Sequence, residues 1–246
     1  MPSSNGSHPN PEDGLQVHGL TKRFGSTVAV DDLHFDARAG EILALLGPNG
    51  AGKTTTLLCL AGLLRPNAGQ MRWQRTLLGP QRGRMMALIP ETPEVYEGLT
   101  VWEHMVFVAR SCRLGNGWEA RAEYLLERLA IEDRRDTLGA ALSKGMRQKL
   151  LIACAAVAAT PVLLLDEPMI GLDPQGQREL RRLLLEVRSE GAAVIVSTHL
   201  LEYVDTFADR LLILKEGRAQ ALGTIAELRG TLGDQSLEEL FFRITE

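Results

Sequence analysis

Two spacings of apolar residues alternate along this chain. Compact apolar runs recur at Ile42 to Leu46, Met85 to Pro90, Pro161 to Leu165, Ala192 to Val196 and Leu211 to Leu214. Runs this short and continuous predict strands buried on both faces, as in a parallel sheet. Between them lie segments of helical length. Thr56 to Leu64 follows the first run, and a Thr100/Glu103 capping-box pair precedes the periodic positions Val101, Trp102, Met105, Val106 and Ala109. Trp118 to Ala130 places Ala122, Leu125, Leu126 and Leu129 on one helical face. Ser143 is the N-cap expected for a helix running into Leu150 to Ala159, and a Leu- and Arg-rich helix follows the turn Gly171-Leu172-Asp173-Pro174. Leu15 to Phe24 and Val28 to Phe35 read as two earlier strands, Arg65 to Gly69 as a turn, and Glu216-Gly217-Arg218 as the joint of a last strand pair. Helix starts are expected at Thr224 and Ser236.

This alternation makes the chain an α/β protein. The helices between about Tyr96 and Thr160 interrupt it as an inserted helical lobe, and residues 1–14, rich in Ser, Asn, Gly and Pro, read as a disordered tail before a domain spanning 15–246. The longest apolar run, Leu150 to Ala159, is about half of the roughly 20 residues a bilayer needs. A membrane role would therefore come through a partner. The net charge of −4 speaks against a nucleic-acid partner. Cys59, Cys112 and Cys154 are odd in number and set among apolar neighbours, so reduced, buried thiols are expected.

The candidate chemistry begins where the first buried run meets the first helix, at Gly47-Pro48-Asn49-Gly50-Ala51-Gly52-Lys53-Thr54-Thr55. The glycines leave backbone room to wrap a phosphate chain, and the N–H groups converge at a helix N-terminus that favours anions. Lys53 supplies charge for the outer phosphates, and the Thr54 hydroxyl is placed to ligate Mg²⁺. A second signal is the pair Asp166-Glu167 ending the run at Leu165. Adjacent carboxylates there cost stability unless a cation or a reaction uses them, which suits Asp166 to Mg²⁺ or its water and Glu167 to a water on the γ-phosphate of ATP. His199 follows a buried run, at the strand end where open α/β sheets place ligands. Phe24, at a strand end, offers a face on which adenine can stack. Taken alone, Phe24 is more often a core or edge aromatic, His199 reads equally as a structural or incidental histidine, and Ser143 as an ordinary cap.

Together, Phe24, GPNGAGKTT, Leu142-Ser143-Lys144-Gly145-Met146, LLLDEP, GLD and STH resemble the ATP-binding cassette ATPases in order and spacing, from about Leu15 to the C-terminus. The resemblance implies a P-loop NTPase core with a parallel sheet, an N-terminal antiparallel β subdomain and an inserted α-helical lobe. It further implies adenine stacking on Phe24, phosphate binding by residues 47–55, an Mg²⁺-linked Asp166, a catalytic Glu167 and a switch histidine at His199. Ser143 and Gly145 would reach the γ-phosphate held by a second ATPase subunit. Membrane-spanning permease subunits are the implied partners, received in a groove near Glu91 to Val101, with Pro93 to Leu99 as a candidate contact on the inner face of the membrane. Two departures stand out: LSKGM replaces the usual LSGGQ, and Glu91 stands where the family most often has a glutamine that touches Mg²⁺. Both resemble the single-cassette branch that drives small export permeases. A soluble ABC ATPase, such as one serving iron–sulfur assembly, is the alternative.

Overall fold

The computed structural model describes residues 13–79, 82–199, 201–230 and 237–245. The tail expected at 1–14 lies outside these residues up to position 12, as does the helix start expected at Ser236. In chain order, β1 (Gly14–Phe24) and β2 (Thr27–Arg38) form an antiparallel hairpin closed at Gly25 and Ser26, where Gly25 takes φ +58°. Then come β3 (Ile42–Leu46), α1 (Lys53–Ala61), β4 (Ala68–Trp73), β5 (Thr76–Leu77) and β6 (Met86–Ile89). Helices α2 (Val101–Cys112), α3 (Trp118–Arg128) and α4 (Lys144–Ala158) precede β7 (Val162–Asp166). The chain continues through α5 (Pro174–Ser189), β8 (Ala193–Thr198), α6 (Leu201–Val204), β9 (Arg210–Lys215), β10 (Arg218–Thr224), α7 (Ile225–Gly230) and α8 (Leu237–Thr245).

Two sheets result. One is antiparallel, in the order β2-β1-β4-β5; the other runs β10-β9-β3-β8-β7-β6, parallel except at the β10 edge. The parallel sheet explains the continuous apolar runs, because successive residues leave for opposite faces and both faces are covered. Leu43, Leu45, Leu164 and Ile195 pack with Leu15, Val17 and Phe35 of the antiparallel sheet and with Leu57 and Leu60 of α1. Ile42, Leu163, Leu165, Val194 and Val196 pack the other way, with Met105, Leu125, Ile152 and Leu180 of the helices. Ala44, Leu46, Leu211 and Ile213 complete that face under Val204, Leu228 and Phe241. Helices α2, α3 and α4 thus share one apolar cluster with the sheet.

The expected helix boundaries rest on visible caps. Thr100 accepts the Glu103 amide at 3.2 Å while the Glu103 carboxylate accepts the Thr100 amide at 2.7 Å, and the same exchange joins Thr224 and Glu227 before α7. Asp173 caps α5 by accepting the Gly176 amide at 2.7 Å, with Pro174 in the first turn.

Two expectations are corrected. Ala68 and Gly69, expected in a turn, open β4, whose six residues include only Met71 as a fully buried side chain. Its partner β1 holds it in the sheet rather than any apolar periodicity of its own. Of the three thiols, Cys59 and Cys154 are buried but Cys112 is exposed, because it ends α2 on the solvent side. Burial pushes the Cys154 thiol up to about 12, so it stays protonated and inert.

Candidate functional site

Parallel register brings the candidate residues to one edge. Leu46 pairs with Thr198, Asp166 with Ser197 and Ile89 with Leu165. The segments beginning at Gly47, Glu167, His199 and Glu91 therefore all leave the carboxyl ends of neighbouring strands, where open α/β sheets bind their ligands.

The loop from Gly47 to Gly52 needs its glycines for two different reasons. A Cβ on Gly47 would lie 2.5 Å from the Leu214 carbonyl oxygen, so packing forbids a side chain there. Gly52 takes φ +100° as the N-cap of α1, and a Cβ there would lie 2.4 Å from the Ala29 carbonyl. No side chain caps α1, which leaves its first-turn amides to an incoming acceptor. Pro48, Asn49 and Gly50 are exposed, and Ala51 is buried with its amide bonded to the Pro48 carbonyl at 3.1 Å. Thr54 is exposed and Thr55 partly so, whereas Thr56 is buried with its hydroxyl on the Gly52 carbonyl at 2.9 Å. Thr56 is therefore structural.

Lys53 is buried, and its ammonium donates to the Gly47 carbonyl at 2.7 Å and the Pro48 carbonyl at 3.3 Å. Glu167 Oε1 lies 3.7 Å from that ammonium and 2.9 Å from His199 Nδ1. Its other carboxylate oxygen, Oε2, is buried without a hydrogen-bond partner among the described residues. An ionised oxygen in that position is costly unless something hydrogen-bonds to it, so Glu167 is built to receive a donor. Glu167 also takes φ 47°, the left-handed region, at a cost on the order of 1–3 kcal/mol for a residue with a side chain. Asp166 is buried beside it and accepts a hydrogen bond from the Ser197 hydroxyl.

The structure therefore gathers Lys53, Asp166, Glu167 and His199 into one group. The phosphate-loop candidates adjoin it through Gly47 and Pro48, whereas Phe24, Glu91, Ser143 and Gly145 stand on other segments. Phe24 is half-exposed at the tip of β1, with the Lys22 ammonium 4.8 Å from its ring centroid. Glu91 is exposed just beyond β6, whereas Pro93 is buried. Ser143 caps α4 and accepts the Met146 amide at 3.3 Å; Gly145 faces the Gly171 carbonyl, 3.1 Å from where a Cβ would stand. The Lys144 stem lies along Gly171, so this turn packs on the Gly171–Asp173 loop rather than on the phosphate loop. Ser197 entered the sequence reading only as the first residue of STH and was given no role; that it lies across from Asp166 is a matter of strand pairing.

A sequence model of the family described as ABC transporter matches residues 30–170. The chain belongs to the ABC transporter family. It is 34% identical to the ABC-type transporter ATP-binding protein EcsA of Bacillus subtilis, over 94% of this chain and 96% of that protein. It is 37% identical to the SkfA peptide export ATP-binding protein SkfE of the same species, over 83% of this chain and 86% of that protein. Among solved structures, one titled as the ATP binding subunit of an ABC transporter superposes with a TM-score of 0.89 at 36% identity, covering 95% of this chain and all of its own. The α/β fold, ATP binding and ATP hydrolysis follow from membership in this ABC family, as does work alongside membrane permease components. No helix among the described residues is long and apolar enough to cross a membrane.

The residues present fit Mg²⁺ held together with phosphates. Among the described residues, no group of three or more His, Cys, Asp or Glu side chains could hold a metal unaided. Mg²⁺ is ordinarily held by one or two carboxylates completed by phosphate oxygens and water, and exposed Thr54 and buried Asp166, which follow or end neighbouring segments at the carboxyl edge of the sheet, supply that kind of partial set.

Proposed function

We propose that this chain, as a unit spanning about 15–246, is the ATP-hydrolysing motor of an exporter whose membrane-spanning subunits are separate chains. The observation that carries the chemistry is the Glu167 carboxylate, with one oxygen held by Lys53 and His199 and the other without a donor among the described residues. ATP would lie along residues 47–55, its phosphates on the first-turn amides of α1 and its adenine on Phe24. Thr54 and Asp166, and Glu91 through water, would hold Mg²⁺. Held there, Mg²⁺ would supply positive charge against the charge that builds on the phosphate oxygens.

Glu167 Oε2 accepts a hydrogen bond from the attacking water and orients its lone pair along the line of displacement. The new bond joins water oxygen to the γ-phosphorus as the bond to the β,γ-bridging oxygen breaks, and the water's proton passes to Glu167 Oε2, giving ADP and inorganic phosphate. His199 steadies Glu167 and reaches the γ-phosphate, while Lys53 neutralises charge on the transferring group. Ser143 and Gly145 complete the site of a second copy across a dimer, consistent with their distance in sequence and packing from this chain's own phosphate loop. Dimer formation and release would then drive the permease through the surface between Glu91 and Val101, at the inner face of the membrane. Similarity to the peptide export protein SkfE supports the outward direction.

The test is Glu167→Gln in the full chain. Turnover is expected to fall to background while ATP drives a stable dimer in size-exclusion chromatography with light scattering. Full retained hydrolysis overturns Glu167 as the base, and a strictly monomeric ATP-bound variant overturns the shared site.

A further inference from the structure

Ser197 stands directly across the β7–β8 ladder from Asp166 and is fully buried. The residues before it in β8, Ala193 to Val196, are all apolar, so polarity begins at the position facing the carboxylate. Its hydroxyl donates to Asp166 Oδ1 and accepts the Glu167 amide at 3.1 Å. That same amide also reaches the Ser197 carbonyl at 3.1 Å. One residue thus grips the side chain of the first acid and the backbone of the second.

The direction of these bonds is set by chemistry. An amide N–H only donates and an ionised carboxylate only accepts, so the single hydroxyl proton must point at Asp166. With Oδ1 engaged, the other Asp166 oxygen is the one offered to Mg²⁺ or its water. The amide bond meanwhile holds Glu167 in its left-handed conformation, the one that carries its side chain to Lys53 and His199. From these contacts we infer that Ser197 is a positioning residue for both acids, coupling the orientation of the metal-linked carboxylate to that of the catalytic one. This inference rests on the roles given above to Asp166 and Glu167. An apolar residue at 197 would fill the same space but leave Asp166 Oδ1 without its donor, and groups that orient metal ligands typically contribute 10–100-fold in metal affinity.

The experiment compares full-length wild type with Ser197→Ala, Ser197→Thr and Asp166→Asn, each checked for cooperative melting. Mn²⁺ is titrated into the ATP-loaded proteins and followed by electron paramagnetic resonance, with metal-free ATP affinity measured by calorimetry. Ser197→Ala is expected to raise the Mn²⁺ midpoint about 10–100-fold, while metal-free ATP affinity stays within about twofold of wild type. Ser197→Thr, which keeps the hydroxyl, is expected to restore most of the loss. A folded Ser197→Ala protein with a wild-type midpoint overturns the inference, as does an equal weakening of metal-free ATP binding, which marks a general loss of structure. If Asp166→Asn shifts the midpoint and Ser197→Ala does not, the failure belongs to Ser197 alone. If Asp166→Asn shifts nothing, the metal role of Asp166 fails instead. Should the alanine variant not fold, Ser197→Cys carries the same test with its weaker donor: an intermediate shift supports the inference and none overturns it.

Discussion

The two ends of the same parallel strands both bury charge, and they treat it in opposite ways. At the amino end, Arg210 donates to Asp36 Oδ2 at 2.8 Å, Asp36 Oδ1 at 3.1 Å and Glu41 Oε1 at 3.2 Å, with Arg38 beside the same acids. Close by, Asp209 accepts the Ile42 amide at 2.8 Å and the Arg188 guanidinium at 3.0 Å. Burial pushes the Glu41 carboxyl above its usual range against the pull of Arg210 and Arg38. Burial works against the charge on Arg210 too, but its bonds to Asp36 and Glu41 outweigh it and raise its pKa. At the carboxyl end, Glu167 leaves one buried oxygen without a donor among the described residues and stands on a strained backbone. An unsatisfied atom alone does not mark the site, since Arg38 Nε at the amino end is also buried without a hydrogen bond among the described residues; what sets Glu167 apart is such an oxygen on a left-handed backbone at the ligand-binding edge of the sheet.

That contrast can be broken by mutating each end and reading both stability and turnover. The largest effect is expected for Glu167→Gln. Loss of a general base typically costs 10²–10⁴-fold in turnover, while the melting temperature should change little, because Gln relieves the oxygen without a donor as it gives up the ion pair with Lys53. A marked loss of stability would show that Glu167 is structural after all. Arg210→Ala should do the reverse. Stranding Asp36 and Glu41 is expected to cost about 3–5 kcal/mol in denaturant unfolding, with turnover per folded molecule near wild type. If Arg210→Ala instead abolishes turnover in folded protein, the two ends are not separable.

Smaller changes sharpen the comparison. Lys53→Ala is expected to weaken ATP binding in calorimetry by at least about tenfold, or 1.4 kcal/mol; unchanged affinity would contradict the phosphate-loop assignment. Exposed Glu91 should matter less, and Glu91→Gln is expected to keep turnover within about tenfold, a span of about 1.4 kcal/mol in the barrier. A collapse to background would make that carboxylate chemically required. Away from both edges, Thr100→Ala removes the α2 cap and should cost about 1 kcal/mol of stability with no change in turnover. Its pH behaviour has a definite sign. The backbone and hydroxyl bonds of Thr100 hold the Glu103 carboxyl below its usual value, so the cap's contribution is present above the unfolded pKa and is lost as pH falls through the folded one. Because the first of these bonds comes from the backbone, the alanine variant should keep most of this acid-labile contribution, and its gap to wild type should narrow only in part as the pH falls.

Much of the site was legible because its parts are written in neighbouring residues. GPNGAGKTT names a loop and a helix start in one string, and Leu163-Leu164-Leu165-Asp166-Glu167 names a buried strand and the acids that end it. The Thr100/Glu103 exchange was equally readable, since both partners lie within one helical turn. By contrast, β4 carries only one fully buried side chain, so nothing in its own pattern marks it; pairing with β1 makes it a strand. Exposure of Cys112 likewise depended on which side of α2 faced the core.

By itself, then, the amino-acid string determined the buried strands of the parallel sheet, the main helices, and the glycine loop and acid pair proposed for phosphate and metal. Backbone geometry and side-chain periodicity act over a few residues, and each of those features is that short. Only the tertiary structure decided that Lys53 and His199 meet on one oxygen of Glu167, that Ser197 grips both acids, and that Arg210 closes the opposite edge against Asp36 and Glu41. These partners lie between 30 and 174 residues apart. They meet because strand order and parallel register bring distant segments side by side, and no local pattern encodes which strand becomes whose neighbour.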